Sequence, residues 1–379
     1  MPAETNVQKA PVRLGIIGCG VISEIHGEAV ANSQDGVTFA ACADRNIDAA
    51  NAFSSKYGGA TVYTDMIEMV RKENLDGVVL ATWPAHHYDH IRALADAGVR
   101  HILCEKSLTA SGEQASKLLD MQLDEGVQVM EGFMLRYSPV YMQLEELVRR
   151  GEVGKIDTIR SGFQEWDHET ESVEDQSRKW RLQKASGGGV ALDGSCYPLH
   201  VCTNLARSLP QSVSFDGDRT VYDTLARLHG HIRYENGIIA FIQSSLRAVV
   251  CKEAEVSGTE GSLYLPVAFG YNVPEHIAIR KRTGHSNLTM KDVQLDRPDA
   301  GSSYVPRISP RHQIEHFADI IRGGVAQRIP LVESVVNMFT LDAMVESAET
   351  RRVVDVKLPE KVRAAWSEAF GDTSTASAA

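Results

Sequence analysis

The stretch Val12-Arg13-Leu14-Gly15-Ile16-Ile17-Gly18-Cys19-Gly20-Val21-Ile22-Ser23 decides the fold. Val12 to Ile17 is an apolar run of strand length, the near-continuous pattern of a strand buried on both faces. Gly18-Cys19-Gly20 breaks it, and Ile25, Ala29 and Val30 resume with helical spacing. Strand, glycine turn and helix form a G-x-G turn, with Ser23 where a third glycine often stands. Glycines there let the backbone bend sharply and approach a pyrophosphate, whose charge then meets the free N–H groups of the helix N-terminus. Gly18, Gly20, Val21 and Ile22 are the expected dinucleotide contacts.

A second strand, Val37 to Ala43, ends in Asp44-Arg45 and leads into helical spacing over Asp48 to Tyr57, stopped by Gly58-Gly59. Asp44 is placed to accept hydrogen bonds from both adenosine ribose hydroxyls, and its charge opposes the extra phosphate of NADP. NAD is the expected cofactor; Arg45 beside it keeps NADP open. The rhythm continues with a strand from Gly77 to Ala81, a helix from His87 to Ala97, and a strand from His101 to Cys104 ending in Glu105-Lys106. A helix from Ser111 to Asp124 and a strand from Val127 to Met130 complete it. Parallel strands need crossover connections, so the alternation predicts an α/β class: a doubly wound Rossmann sheet over residues 1–131. The same glycine turn opens many methyltransferases that bind S-adenosylmethionine. Those folds usually run as one domain ending in a β-hairpin, and this chain continues into a second sheet.

Residues 132–379 change character. After a helix around Pro139 to Arg149, alternating runs cover Lys155 to Glu165, Leu228 to Tyr234, Ile238 to Leu246, Glu253 to Ser257, Ile277 to Arg282 and Leu288 to Leu295. Glu235-Asn236-Gly237 predicts a hairpin with a tight primed turn. Helical spacing returns from Arg311 to Ile321 and from Leu331 to Thr350. The expectation is an α+β domain with a large, mostly antiparallel open sheet, followed by a frayed tail from Thr373 to Ala379.

The 379 residues are 43% apolar and 23% charged, enough for a buried core. Lys and Arg number 39 against 50 Asp and Glu, a net charge of −11, and no basic run offsets it. That balance argues against nucleic acid as a partner. Met1 to Pro11 lacks the apolar core of a secretory signal, and no stretch approaches the ~20 apolar residues of a membrane span. A cytoplasmic protein is expected. The six cysteines show no C-x-x-C spacing and suit reduced thiols. His86, His87 and His90 share helical spacing, but no carboxylate or cysteine is spaced to complete a metal site, and none is expected.

At the level of motifs the chain resembles the glucose-fructose oxidoreductase and inositol dehydrogenase family. The resemblance rests on Ala81-Thr82 followed by His87, on Cys104-Glu105-Lys106, and on Trp180-Arg181 before Gly187-Gly188-Gly189 and Asp193. It extends through Val256-Ser257-Gly258-Thr259-Glu260-Gly261-Ser262-Leu263 and His312 to Arg351, nearly the whole chain. Glu131-Gly132-Phe133-Met134-Leu135-Arg136-Tyr137 and Asp193-Gly194-Ser195-Cys196-Tyr197-Pro198 are most similar to the branch with xylose dehydrogenase and dimeric dihydrodiol dehydrogenase. There a tyrosine stands four residues after the aspartate, where inositol dehydrogenases carry a histidine. The resemblance implies an NAD(P)-dependent oxidoreductase acting on a hydroxyl or carbonyl of a sugar, cyclitol or related polyol. It also implies a homodimer or homotetramer built through the open sheet, and cofactor contacts at Thr82, His87, Glu105, Lys106, Trp180 and Arg181. Redox-assisted glycoside cleavage and a catalytically silent dinucleotide-binding regulator stay open as alternatives. The chain departs from the family at Ser107, where proline is usual, at Gly194, one residue early, and at the inserted Trp83.

Oxidising a secondary alcohol sends a hydride to the nicotinamide and needs one placed group to take the hydroxyl proton. Lys106 follows a parallel strand at its carboxyl end, the edge where doubly wound sheets hold ligands. Tyr197, with an ordinary pKa near ~10, becomes a usable base when an ammonium lies within about 4 to 6 Å. Asp193, four residues before Tyr197 on one helical face, would orient the lysine. Without the resemblance, Asp193 would suit a helix cap and Tyr197 a core aromatic. His200, seven residues after Asp193, falls on the same face and is expected to bind a substrate hydroxyl or share the acid/base role. Arg136 either touches substrate or makes a structural ion pair. Loops at Tyr271 to His276 and Ser302 to Arg307 are expected to shape specificity.

Overall fold

The computed structural model describes residues 9–166, 180–269, 276–282, 288–294 and 308–371. The tail and most of the two specificity loops lie outside the described residues.

Six apolar runs form a parallel sheet: β1 (Val12–Ile17), β2 (Val37–Ala43), β3 (Thr61–Tyr63), β4 (Gly77–Leu80), β5 (His101–Glu105) and β6 (Gln128–Gly132). Their order is β3-β2-β1-β4-β5-β6. The chain leaves β1 toward one edge and β4 toward the other, so a crevice opens at the carboxyl ends of β1 and β4. Helices α1 (Val21–Ala31), α2 (Ile47–Lys56), α3 (Met66–Lys72), α4 (Pro84–Asp96) and α5 (Gly112–Glu125) make the crossovers. Local chemistry sets their ends. Asn46, Asp65 and Ser111 side chains cap α2, α3 and α5, and Gly126 closes α5 at φ +69°.

After α6 (Pro139–Arg149), a ten-stranded sheet is built on β7 (Ile156–Trp166), β8 (Pro210–Arg219), β9 (Leu225–Tyr234), β10 (Ile239–Ser245), β11 (Arg247–Cys251), β12 (Ala254–Gly258), β13 (Gly261–Leu265), β14 (His276–Arg282), β15 (Leu288–Gln294) and a short β16 (Val354–Asp355). Its pairings are antiparallel except that β10 runs parallel to β7. Strand alternation gives one face a continuous apolar row of Ile232, Ala240, Ile159, Val256 and Leu263. Against this face packs α7 (Cys196–Ala206), every residue of which except Tyr197 is buried. The hairpin at Tyr234 to Ile238 differs from the expected primed turn. Only Gly237 has a positive φ (+88°), and the Tyr234 N–H to Ile238 carbonyl bond closes a G1-type bulge.

The C-terminal helices return to the first sheet. Phe317 and Ile321 of α8 (Ile308–Ile321) pack beside Gly77 of β4, where a Cβ would stand 2.9 Å from Ile321. α9 (Leu331–Thr350) is buried on nearly all sides, the mark of a helix surrounded by structure. Among the described residues, no helix is long and apolar enough to cross a membrane.

Candidate active site

The glycine turn lies where β1 meets α1. Gly18 has φ +90°, and a Cβ there would stand 2.6 Å from the Ala81 carbonyl oxygen, so only glycine fits. Gly20 caps α1 at φ −87°, and a Cβ on it would meet nothing within 4 Å. It faces a cavity of about 440 Å³ shared with Gly18, Asp44, Arg45, Thr82 and Trp83. This is the cradle a pyrophosphate needs: bare backbone at a helix N-terminus. The third-glycine position is taken by buried Ser23, whose hydroxyl donates to the Gly20 carbonyl at 2.5 Å. Close helix packing falls instead to Gly27, where a Cβ would stand 2.5 Å from the Tyr57 ring. Asp44 accepts from the Cys19 N–H at 2.7 Å and from the Asn46 N–H at 2.8 Å, which fixes its carboxylate at the rim. Val21 is 90% exposed and Ile22 half-buried; neither is among the described residues that line the cavity.

Two of the expected cofactor contacts point elsewhere. His87 is fully buried, its ring nitrogens 2.9 Å from the Ser107 carbonyl and 3.0 Å from that of Thr82. It ties two loops together, and burial pushes its pKa below the ordinary imidazole value. His86 and His90 reach the cavity in its place, because α4 starts at Pro84 and residues four apart share its outer face. Burial first, and the neighbouring histidines second, lower His90 to about 4. Glu105 is also buried, 2.7 Å from the His26 Nε2, and supports the sheet edge from behind.

Beyond the end of β5 a second cavity, of about 220 Å³, holds Lys106, Arg181, Asp193 and Tyr197. The Lys106–Ser107 peptide bond is cis. Lys106 Nζ donates to the Asp193 carboxylate and to its backbone carbonyl, both at 2.8 Å. Arg181 Nε donates to the other carboxylate oxygen at 2.7 Å. Burial would raise the Asp193 pKa, but the two cations overcome it and hold the carboxyl at about 2. Burial would likewise strip the Lys106 proton, and the Asp193 charge instead holds the ammonium well above its usual range. The ammonium lies 4.9 Å from the Tyr197 ring centroid. Trp180 sits under the Arg181 guanidinium, 5.0 Å from ring centroid to Cζ, in a single 3₁₀ turn. The Trp180 and Arg181 carbonyls crowd Gly188, where a Cβ would stand 2.5 Å from the first.

Known proteins decide the family. Residues 12–133 match the model of an oxidoreductase family with an NAD-binding Rossmann fold, and residues 141–264 match the C-terminal domain of that same family. The chain belongs to the Gfo/Idh/MocA oxidoreductase family. Among similar proteins is a D-xylose 1-dehydrogenase (NADP(+)) of Haloferax volcanii, 29% identical over 343 residues, 90% of this chain and 98% of that protein. An inositol 2-dehydrogenase of Rhizobium meliloti is 25% identical over 91% of this chain and 99% of its own. Levoglucosan dehydrogenase, solved with NADH and levoglucosan, shares the fold at a TM-score of 0.81 and 20% identity, covering 92% of this chain and all of that one (100%). As a Gfo/Idh/MocA protein, the chain is a nicotinamide-dependent oxidoreductase, and the Gly18–Gly20 cradle with Asp44 suits the dinucleotide.

One further expectation fails on geometry, and one left open is decided. His200 is 1% exposed; its Nε2 lies 2.9 Å from the Glu131 carboxylate and its ring stacks on Phe133 at 3.7 Å. The reason is local. Ala191–Ser195 is a π-helical turn, wider than an α turn, so a face counted at 3.6 residues per turn misplaces the residues beyond it. Pro198 has no N–H to give the Gly194 carbonyl, which interrupts the α ladder at that point. Arg136 is 3% exposed and pairs with Glu333 and, at 3.3 Å, with Glu145; of its two readings the structural ion pair holds.

Sequence reasoning missed the wall opposite Lys106. Phe163 stacks on Tyr197 with centroids 4.9 Å apart and 7° between planes, Phe269 adds a tilted contact at 5.5 Å, and Glu165 and Lys252 complete that side. The signal that could have found it is strand alternation, which puts Phe163 and Glu165 on one face of β7.

Proposed function

We propose that this enzyme interconverts a secondary alcohol and a carbonyl on a sugar, cyclitol or related polyol, with Tyr197 as the acid/base and Lys106 and Asp193 as its electrostatic support. The observation carrying this reading is the Lys106–Asp193–Arg181 cluster against Tyr197, beside a cleft with a bare glycine cradle. A bound nicotinamide would supply the hydride acceptor or donor. In the oxidative direction, Tyr197 Oη takes the substrate hydroxyl proton; in the reductive direction it returns one. Lys106, kept charged by Asp193, favours negative charge on the phenol oxygen and on the substrate oxygen. Arg181 holds the second Asp193 oxygen, so the carboxylate keeps its orientation while the proton moves.

Asp44, anchored by two backbone N–H groups, supports NAD as the preferred form, with Arg45 leaving NADP usable. Six free cysteines suit a reducing, cytoplasmic setting. Phe241 and Trp166, exposed on strands of the second sheet, support assembly of a homodimer or homotetramer through that face. The test is a panel of D-xylose, myo-inositol, levoglucosan and related polyols offered with NAD and NADP separately, following cofactor reduction at 340 nm. Net reduction with at least one polyol is expected. Glycoside cleavage without net reduction, or silence across the panel, would overturn the reading.

A further inference from the structure

The wall facing Lys106 contains a charged pair that the acid/base chemistry does not use. Phe163 and Glu165 stand two residues apart on β7 and therefore point to one face. Lys252 follows β11, whose Cys251 pairs with Gln164, and its ammonium reaches back over that face to ion-pair with Glu165. The same ammonium lies 5.0 Å from the Phe163 ring centroid. All three residues line the cavity that holds Lys106, Asp193 and Tyr197.

We propose that Lys252 and Glu165 form a polyol-recognition pair, which binds adjacent substrate hydroxyls remote from the carbon that exchanges the hydride. The inference rests on the function proposed above and adds the part of the site that selects the substrate. An ammonium offers up to three donors and a carboxylate only acceptors, so the pair together satisfies a vicinal diol, whose hydroxyls each donate and accept. The partly exposed pair, with side-chain exposures of 21% and 44%, exchanges water for substrate without a new buried charge. Phe163, itself buried, lies between this pair and Tyr197, stacked on the phenol ring at 4.9 Å and beneath the Lys252 ammonium, and so fixes the pair's position relative to the acid/base. A site built to hydrogen-bond hydroxyls rejects an analogue lacking one, because its own polar groups are then left unmatched.

The experiment compares wild type with Lys252→Met and Glu165→Gln. The substrates are the polyol of the panel above that wild type oxidises fastest and its mono-deoxy analogues. NAD binding by tryptophan fluorescence confirms that each variant is folded. Loss of one charge-assisted hydrogen bond predicts a fall in kcat/KM of roughly tenfold or more, carried chiefly by KM, with an unshifted pH profile. For wild type, one analogue should fall by a similar factor; for the variants, that same analogue should lose little further. An equal fractional loss on every analogue, or an unchanged KM in both variants that bind NAD, would overturn the pair's role while leaving the proposed function standing. Wild type that oxidises no polyol would overturn both.

Discussion

The Lys106 ammonium, just beyond the last strand residue of β5, and the Asp193 carboxylate, in the turn before α7, meet at 2.8 Å with both side chains largely buried. Neither charge is stable alone at that depth. The carboxylate keeps the lysine protonated and the lysine keeps the acid ionised, so the pair fixes a positive charge beside Tyr197 at neutral pH.

Acid should release that pair. The Asp193 pKa falls from an ordinary 3.8 to about 2 on folding, so its contribution is fully present above pH ~4 and is lost as pH drops toward 2. Asp193→Asn removes it. In urea unfolding, the stability gap between wild type and the variant is expected to be about 2 kcal/mol or more at pH 6 and to narrow by pH 3. A gap independent of pH would contradict the assignment.

The two glycines of the turn should separate folding from binding. Gly18→Ala pushes a Cβ against the Ala81 carbonyl at positive φ and is expected to lower the unfolding temperature, by roughly 1–3 kcal/mol of backbone strain. Gly20→Ala meets open space at φ −87°, so the unfolding temperature should hardly move. Its methyl group enters the cradle, and NAD affinity should fall at least about tenfold by fluorescence titration.

His200 should matter for stability and little for turnover. His200→Leu leaves Glu131 buried beside a side chain that cannot hydrogen-bond, a loss of about 3–5 kcal/mol. The folded fraction, measured at low temperature, should keep kcat within about threefold, against the 10²–10⁴ expected of an acid/base residue.

Asp342 offers a test with the opposite sign. Asp342 is exposed on α9, but the protein packed around its carboxyl withholds enough water to lift the pKa to about 6, partly countered by the Gly112 N–H at 2.7 Å. A folded pKa above the unfolded 3.8 gives stability that is complete below pH ~4 and lost as pH rises through 6. Asp342→Asn keeps an acceptor for Gly112 without the charge. Solvent screens the charge at this exposed position, so the variant should be only slightly more stable than wild type at pH 8 and indistinguishable from it at pH 4, as read by calorimetry.

The first sheet was largely legible because its strands are continuous apolar runs stopped by glycine or by a charged pair such as Asp44-Arg45 or Glu105-Lys106. β3 and α3 escaped because three and seven residues are too short to establish a period. In the site, Lys106, Asp193 and Tyr197 come together as expected from the family motifs. His200 was misplaced by a helical period that the π turn breaks, and His87 by a helix start that turns His86 and His90 outward instead. Glu165 and Lys252 lie 87 positions apart, and only the pairing of β11 with β7 brings them together. Long-range strand register of that kind leaves no local trace in a single sequence.

The phenol of Tyr197 is the centre on which the chemistry depends. Tyr197→Phe removes one oxygen and keeps the ring that stacks on Phe163. Rapid mixing of the NAD complex with the best polyol substrate should show hydride transfer slowed by 10²–10⁴, roughly the worth of a general base, with NAD affinity unchanged. Hydride transfer at the wild-type rate in this variant would contradict the account.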